Sequence, residues 1–241
     1  MRVFILGVKI DNLTMSEVLE SVRNFLKDGK QHYIVLPYSE FIVRAQKDKE
    51  FQRILNEADL SLCESKGLYL VAGLCLRKSL KENIYGIDLI HNLISNSQFL
   101  ISKIFLLGGK KDVAKKTKEK LGNKIIGAEH GYQDLRKVVE KINKAEPDIL
   151  LVGLGSPKQE KWIYKNLKKM PSVKLAIGVG GAFDFISGRI KRAPKFLQKV
   201  GFGWLWRLVI QPRRVKRIYN GVIKFSWLIL KNRYKIIHRS S

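Results

Sequence analysis

The chain has 241 residues, 45% hydrophobic and 28% charged, which is enough to build a sizeable core and argues against a disordered chain. Lys and Arg number 46 against 21 Asp and Glu, a formal net charge of +25, and Arg189 to Ser241 holds 15 basic residues and no acidic one. That asymmetry points to a polyanionic partner on the C-terminal segment, with nucleic acid and an anionic membrane surface as the two candidates.

In chain order, Val3–Val8 reads as a first strand, and Thr14 with Glu17 forms a capping-box pattern ahead of a helix over Met15–Leu26. Strand-like runs follow at Tyr33–Pro37, Leu60–Cys63, Lys103–Leu107, Lys124–Gly127, Ile149–Gly153 and Lys174–Gly178. Helical periodicity covers Glu40–Leu55, Val113–Leu121, Leu135–Lys144 and Lys158–Leu167. Alternating strands and helices of this length predict an α/β fold: a Rossmann-like, mostly parallel sheet with helices on both faces. In such sheets ligands bind beyond the carboxyl ends of the strands.

The pattern changes after Ile190, and two units are expected: a Rossmann-like domain over 1–195 and a basic, aromatic-rich helical appendage over 196–241, broken near Pro212. Trp204, Trp206, Phe225, Trp227 and Tyr234 interleave with its cations. The tail admits three readings: interfacial helices on anionic lipid, a basic helical unit packed on the sheet, or a strand of bases stacked on aromatics. Cys63 and Cys75 make neither a disulfide framework nor a Cys-rich metal site. No apolar run is long enough for a signal peptide or a spanning helix, so a cytoplasmic protein is expected, attached to the inner membrane face at most peripherally.

Three strand ends carry glycines. Gly108-Gly109-Lys110 opens a helix, where backbone N–H groups and the helix N-terminus favour an anion. Gly153 to Glu160 (GLGSPKQE) follows a strand, with Pro157 suited to a helix start and Gln159 able to donate and accept. Gly178 to Asp184 (GVGGAFD) packs three glycines into four residues, and Asp184 either meets a ribose or base or caps the next turn. Read jointly they predict a nucleotide or phosphosugar pocket, although neither a P-loop nor a dinucleotide fingerprint is present. Glu64 follows the third strand and is either a general base, kept ionised by Lys66, or a solvated loop acid. Asp88 and His130 read as structural, and Cys63 as a small core residue. No Asp-x-Asp pair occurs, so no metal and no cofactor are expected, and a leaving diphosphate would rely on N–H groups and basic side chains.

These clusters, in this order, resemble the WecG/TagA/CpsF glycosyltransferase family. The resemblance runs from GVKIDNLT at 7–14 through Glu40-Phe41, NEADL at 56–60, Gly86 with Asp88-Leu89, LLGGK at 106–110 and His130-Gly131-Tyr132. It continues in GLGSPKQE at 153–160, GVGGAFDFISG at 178–188, Arg192-Ala193-Pro194, and the tail's Trp204, Arg207 and Pro212-Arg213-Arg214. The resemblance implies a metal-independent, inverting transfer of an N-acetylmannosamine-type sugar from a UDP-sugar to a polyprenyl-diphosphate-linked N-acetylglucosamine, in teichoic acid or polysaccharide synthesis. It implies that the tail docks on the membrane and completes the site, and it leaves room for a homo-oligomer that dissociates there. By resemblance, Glu64 stands for the catalytic carboxylate and Gln159 for the active-site glutamine. Gly108, Gly109 and Gly181 would meet the diphosphate, Tyr132 and Asp184 the uridine, and Arg207, Arg214 and Arg217 the diphosphate from the tail.

The sequence departs from the family pattern where T-x-N-x-E-F reads Leu36-Pro37-Tyr38-Ser39-Glu40-Phe41, where Pro-Asp-Gly reads Cys63-Glu64-Ser65, and where Arg reads Asn83. A changed sugar or acceptor is expected from this, and two rival readings stay open: a non-catalytic nucleotide- or nucleic-acid-binding module, and a nicotinamide-dependent reductase.

Overall fold

The computed structural model describes residues 2–76, 80–96, 102–194, 197 and 203–232. The expectations for Tyr234 and the rest of 233–241 lie outside these residues, as does that for the Cys75 side chain.

The chain opens with strands β1 (Arg2–Ile5) and β2 (Val8–Asp11), paired antiparallel with Ile5 opposite Val8. The single strand expected over Val3–Val8 is therefore a hairpin. Its two-residue turn holds Leu6 at φ 48° and Gly7 at φ 80°. Both central residues at positive φ define the tight turn whose twist suits flanking strands, and a leucine first in that turn gives no sequence signal for it. Asn56 brackets the turn, accepting from the Lys9 N–H at 2.9 Å and donating to the Gly7 carbonyl at 2.9 Å. Asp11 accepts from the Ser61 N–H at 2.9 Å. The hairpin is thereby tied to the third helix and to the fourth strand, so GVKIDN and NEADL are architectural motifs.

Next come α1 (Met15–Phe25), β3 (His32–Val35), α2 (Ser39–Ala45), α3 (Lys49–Glu57), β4 (Leu60–Ser61), α4 (Lys66–Leu76) and α5 (Gly86–Ser95). The Thr14–Glu17 capping box is formed in both directions. The one helix expected over Glu40–Leu55 is two, because Asp48 caps a new start by accepting from the Phe51 N–H at 2.9 Å. The second half alternates β5 (Ile104–Gly108), α6 (Lys111–Leu121), β6 (Ile125–Glu129), α7 (Leu135–Ala145), β7 (Ile149–Gly153), α8 (Lys158–Asn166), β8 (Leu175–Gly178) and α9 (Ala182–Ile186). The tail supplies α10 (Gly203–Ile210), α11 (Val215–Tyr219) and α12 (Phe225–Lys231), with a short turn at Pro212–Arg214 and a π-helical stretch at Asn220–Lys224.

Six strands form one parallel sheet in the order β4-β3-β8-β7-β5-β6. Side-chain alternation divides the core between its faces. Tyr33, Val35, Phe105, Leu107, Leu150 and Val152 point to one face, under α2, α3, α7 and α8. Ile34, Leu36, Ile104, Leu106, Ile149 and Leu151 point to the other, under α1, α5, α6 and α9. Every one of these is buried, as a parallel sheet covered on both faces requires. Phe225 and Ile229 of α12 join the first cluster, so the tail packs into the core and reaches back over α2. Among the described residues no helix is long and apolar enough to cross a membrane.

Candidate active site

Beyond the carboxyl ends of the strands, roofed by the tail helices, lies a crevice of about 980 Å³. All three predicted glycine-bearing ends reach it, though Gly108 itself does not line it. Gly108 has φ 146° and lies so close to Gly153 that an added Cβ would sit 2.4 Å from the Gly153 carbonyl oxygen. It lets β5 and β7 converge and does not itself line the crevice. Gly109 does line it, but its N–H already donates to the Gly153 carbonyl at 3.3 Å. The amide hydrogen there is committed to the fold.

Gln159 ties the other two ends together. Its Oε1 accepts from the Gly155 N–H at 3.2 Å and from the Gly180 N–H at 3.1 Å. Its Nε2 donates to Glu160 Oε1 at 2.6 Å. Both side chains are buried at the start of α8, and burial pushes the Glu160 carboxyl up to about 7. The amide lies over Gly178, where a Cβ would stand 2.9 Å from Nε2. Gly178→Ala is therefore expected to cost about 1–3 kcal/mol through overpacking, read as a melting shift of about 2–4 °C per kcal/mol in a chain of this size, and to lower turnover with it.

Glu64 follows β4 and faces the crevice half-buried. Its Oε1 accepts from the Gly86 N–H at 2.9 Å. Gly86 is needed for that approach, since a Cβ there would meet the same oxygen at 3.1 Å and Leu36 at 3.1 Å. Burial raises the carboxyl to about 8, against the opposing pull of the Gly86 N–H and of Arg207. The expected partnership with Lys66 is not formed: Lys66 Nζ stands 5.9 Å over the Tyr69 ring, and Arg207 is the cation that acts on Glu64. Local sequence nearness misled here, because Lys66 begins α4 and points along that helix. Cys63 is a core residue as expected, its thiol pushed up to about 12 by burial.

Arg207, Arg214 and Arg217, from α10 to α11, all line the crevice. Arg207 lies 4.2 Å over the Phe185 ring and donates to Gln211 Oε1 at 3.1 Å. Its Nη2 sits 3.3 Å from where a Gly181 Cβ would be, so glycine leaves the guanidinium room. Burial and Arg214 push Arg207 down to about 10, and burial and Arg217 lower Arg214. Among the described residues no carboxylate lies at ion-pair distance from Arg207 or Arg214. Arg217 is different: it pairs with buried Glu40 at 2.9 Å and hydrogen-bonds Tyr38 Oη. Burial lowers it, but Tyr38 and Glu40 outweigh that and raise it. Two half-buried guanidinium groups with no carboxylate at ion-pair distance among the described residues form a cavity wall electrostatically suited to an anion.

Of the remaining predicted residues, Asp184 lines the crevice, paired with Arg189 at 3.3 Å. Tyr132 stands at its rim, 78% exposed. Asp88, read as structural, holds Arg192 through two bonds of 2.9 Å, which fastens the 189–194 segment across α5. His130 Nδ1 accepts from the Tyr132 N–H at 3.2 Å. Sequence reasoning did not pick out Glu160 or the Tyr38–Glu40–Arg217 contact. For Glu160 a signal existed: it falls on the buried stripe of α8 with Ile163 and Leu167, where a charge is out of place.

A crevice at the carboxyl edge of a doubly covered parallel sheet is where α/β folds bind ligands, and this one carries Arg207, Arg214 and Arg217 beside Glu40, Glu64 and Asp184. The family model described as Glycosyl transferase WecG/TagA/CpsF matches residues 3–239. A Staphylococcus aureus protein described as N-acetylglucosaminyldiphosphoundecaprenol N-acetyl-beta-D-mannosaminyltransferase is 30% identical over 243 residues, covering 98% of this chain and 94% of its own. A Bacillus spizizenii protein of the same description is 31% identical over 229 residues, covering 92% of this chain and 88% of its own. The chain belongs to the glycosyl transferase WecG/TagA/CpsF family and is, as a class, a hexosyltransferase.

Proposed function

We propose that this protein moves an N-acetylmannosamine-type sugar from a UDP-sugar to a polyprenyl-diphosphate-linked N-acetylglucosamine, by direct displacement with inversion and without a metal. The observation that carries the proposal is that Glu64 shares one crevice with Arg207 and Arg214, which have no carboxylate at ion-pair distance among the described residues. In the proposed step Glu64 takes the proton of the acceptor hydroxyl. The oxygen attacks the anomeric carbon from the side away from UDP, the bond to the diphosphate oxygen breaks, and UDP leaves with the electron pair. The tail guanidinium groups receive the charge that develops there. Metal independence is part of the proposal: the tail guanidinium groups take the place of a cation at the diphosphate. Asp184 and Tyr132 are proposed at the uridine, and Gly181 beside the diphosphate. The relatives' described acceptor is the source of the lipid assignment.

Incubation with UDP-N-acetylmannosamine and the diphosphate-linked N-acetylglucosamine lipid tests this: release of UDP with formation of the disaccharide lipid is expected. Absence of both UDP binding and turnover across UDP-sugars overturns it. Tyr38, lining the crevice with its hydroxyl committed to Glu40, favours a related reading in which the acceptor or sugar differs while UDP is kept. Turnover with another UDP-sugar alone selects that reading.

The tail, taken as an appendage over 196–241, is proposed to rest on the cytoplasmic membrane face. Val209, Val215, Ile223, Trp227 and Leu230 are all more than half exposed, beside exposed Arg213, Lys216 and Lys231. Each cation near an anionic surface adds about 1 kcal/mol. Flotation with phosphatidylglycerol-rich vesicles is expected, weakening with salt, and lost on Trp227→Glu with Leu230→Glu. A gel shift on nucleic acid without flotation, or a salt-independent dimer, would replace the membrane reading.

A further inference from the structure

Gln159 lines the crevice, but its acceptor oxygen is already engaged. Its one oxygen holds the Gly155 and Gly180 amides, which belong to loops leaving two adjacent strands, β7 and β8. An amide side chain is reversible: rotated by half a turn, it would aim NH₂ at those two N–H groups and its oxygen at Glu160. The reversal would set NH₂ against two N–H donors, and Glu160 Oε1, accepting from Nε2, holds the other end in place. Glu160 is fully buried, and its Oε1 stands 2.6 Å from Gln159 Nε2. Its Oε2 has no hydrogen-bond partner among the described residues. The same oxygen Oε1 lies 3.4 Å from where a Gly178 Cβ would be, at the end of β8. A buried, half-satisfied carboxylate is costly to a fold. Its hydrogen bond of 2.6 Å is made to the side chain that bridges the two loops.

We propose that Glu160 is a positioning residue: through Gln159 it sets the spacing of the loops after β7 and β8, against which the nucleotide part of the donor lies. The proposal rests on the nucleotide-sugar reading only for its last clause; the bracket itself is a statement about two backbone amides.

Four variants in the full chain test it: Glu160→Gln, Glu160→Ala, Gln159→Ala and the double alanine. With glycine amides labelled with nitrogen-15, hydrogen exchange at Gly155 and Gly180 is followed by NMR. Glu160→Ala is expected to speed exchange at both amides about tenfold, and Gln159→Ala at least as much. Glu160→Gln, whose carbonyl oxygen can still accept from Gln159 Nε2, is expected to stay within about threefold of wild type. In UDP-sugar turnover, Glu160→Ala is expected to lower kcat/KM about tenfold, and the double variant no further than Gln159→Ala alone. Melting temperatures of all four separate this from loss of packing. Unchanged exchange at both amides in Glu160→Ala overturns the proposal. So does a double variant whose loss is the product of the single losses, or a Glu160→Gln as impaired as Glu160→Ala. Where Glu160→Ala does not fold, Glu160→Gln and Gln159→Ala decide alone: wild-type-like exchange in the first and fast exchange in the second are expected, and any other pairing is contrary. If wild type ignores UDP while the amides behave as expected, the nucleotide reading fails and the bracket stands.

Discussion

Glu64→Gln is expected to lower kcat by about 10²–10⁴-fold, the range a positioned general base supplies, while UDP affinity stays near that of wild type. The substitution keeps a group that can accept from the Gly86 N–H, so local geometry survives and only the proton acceptor is lost. A second readout follows from the raised carboxyl. Burial lifts Glu64 from an ordinary 4.5 to about 8. A base works when deprotonated, so kcat/KM of the wild type is expected to climb through about pH 8 on its acid side. The sign for stability is opposite. Between the ordinary and the raised values the native state binds a proton that the unfolded state has released, so wild-type stability falls as pH rises through that window. Glu64→Gln lacks this penalty. Its melting temperature is expected to exceed that of wild type by a margin that grows from pH 5 to pH 8, while its turnover is nearly absent. A variant with turnover within a few-fold of wild type removes Glu64 from the chemistry. Glu64→Asp is expected to lie between the two, since it keeps the charge but withdraws it by about one methylene, and displacements near 1 Å cost about 10²-fold.

The tail arginines are expected to divide into two kinds. Arg214→Ala removes a half-buried cation that has neighbouring Arg217 and no carboxylate at ion-pair distance among the described residues. Its loss is expected to weaken UDP binding about 10- to 150-fold, the equivalent of a charged hydrogen bond of about 1.5–3 kcal/mol. It is expected to leave the melting temperature unchanged or slightly higher, because a buried repulsion is relieved. Arg217→Ala is expected to cost about 1–3 kcal/mol of stability as well, because Glu40 is buried and keeps only Arg44 and Tyr38. Calorimetric titration with UDP and thermal melts on both variants check this contrast. Equal destabilisation with unchanged UDP affinity would make the cluster part of the scaffold rather than the anion site. The distinction has a physical root: a cation held by a carboxylate is committed to the fold, whereas one without a counter-ion is stabilised only when an anion arrives.

The layered architecture was legible because it is written at short range. Alternation at Tyr33, Ile34, Val35 and Leu36 assigns each side chain to a face of the sheet, and Thr14 with Glu17 marks a helix start within four residues. The glycine clusters at 108–109, 153–155 and 178–181 likewise mark strand ends where a side chain would clash or φ is positive. Local reading failed at Leu6, a turn residue that does not advertise its turn, and between α2 and α3, where the N-cap signal at Asp48 was overridden by continuous apolar periodicity.

What each polar residue of the crevice does was decided only by the tertiary structure. Nothing near Glu64 in sequence foretells that its carboxylate will rest on the Gly86 amide, or that Arg207 and not Lys66 will be its cation. Gln159 lines the crevice, and only the fold shows that its oxygen also holds Gly155 and Gly180. Gly109 could have offered its N–H outward, but Gly153 claims it. Periodicity and capping are properties of a chain segment and its immediate neighbours, so the sequence alone determined the sheet, its covering helices and the charge of the tail. Hydrogen-bond partners and burial depend on segments brought together only by folding, so which cations stay unpaired and which carboxylate is raised belong to the tertiary structure.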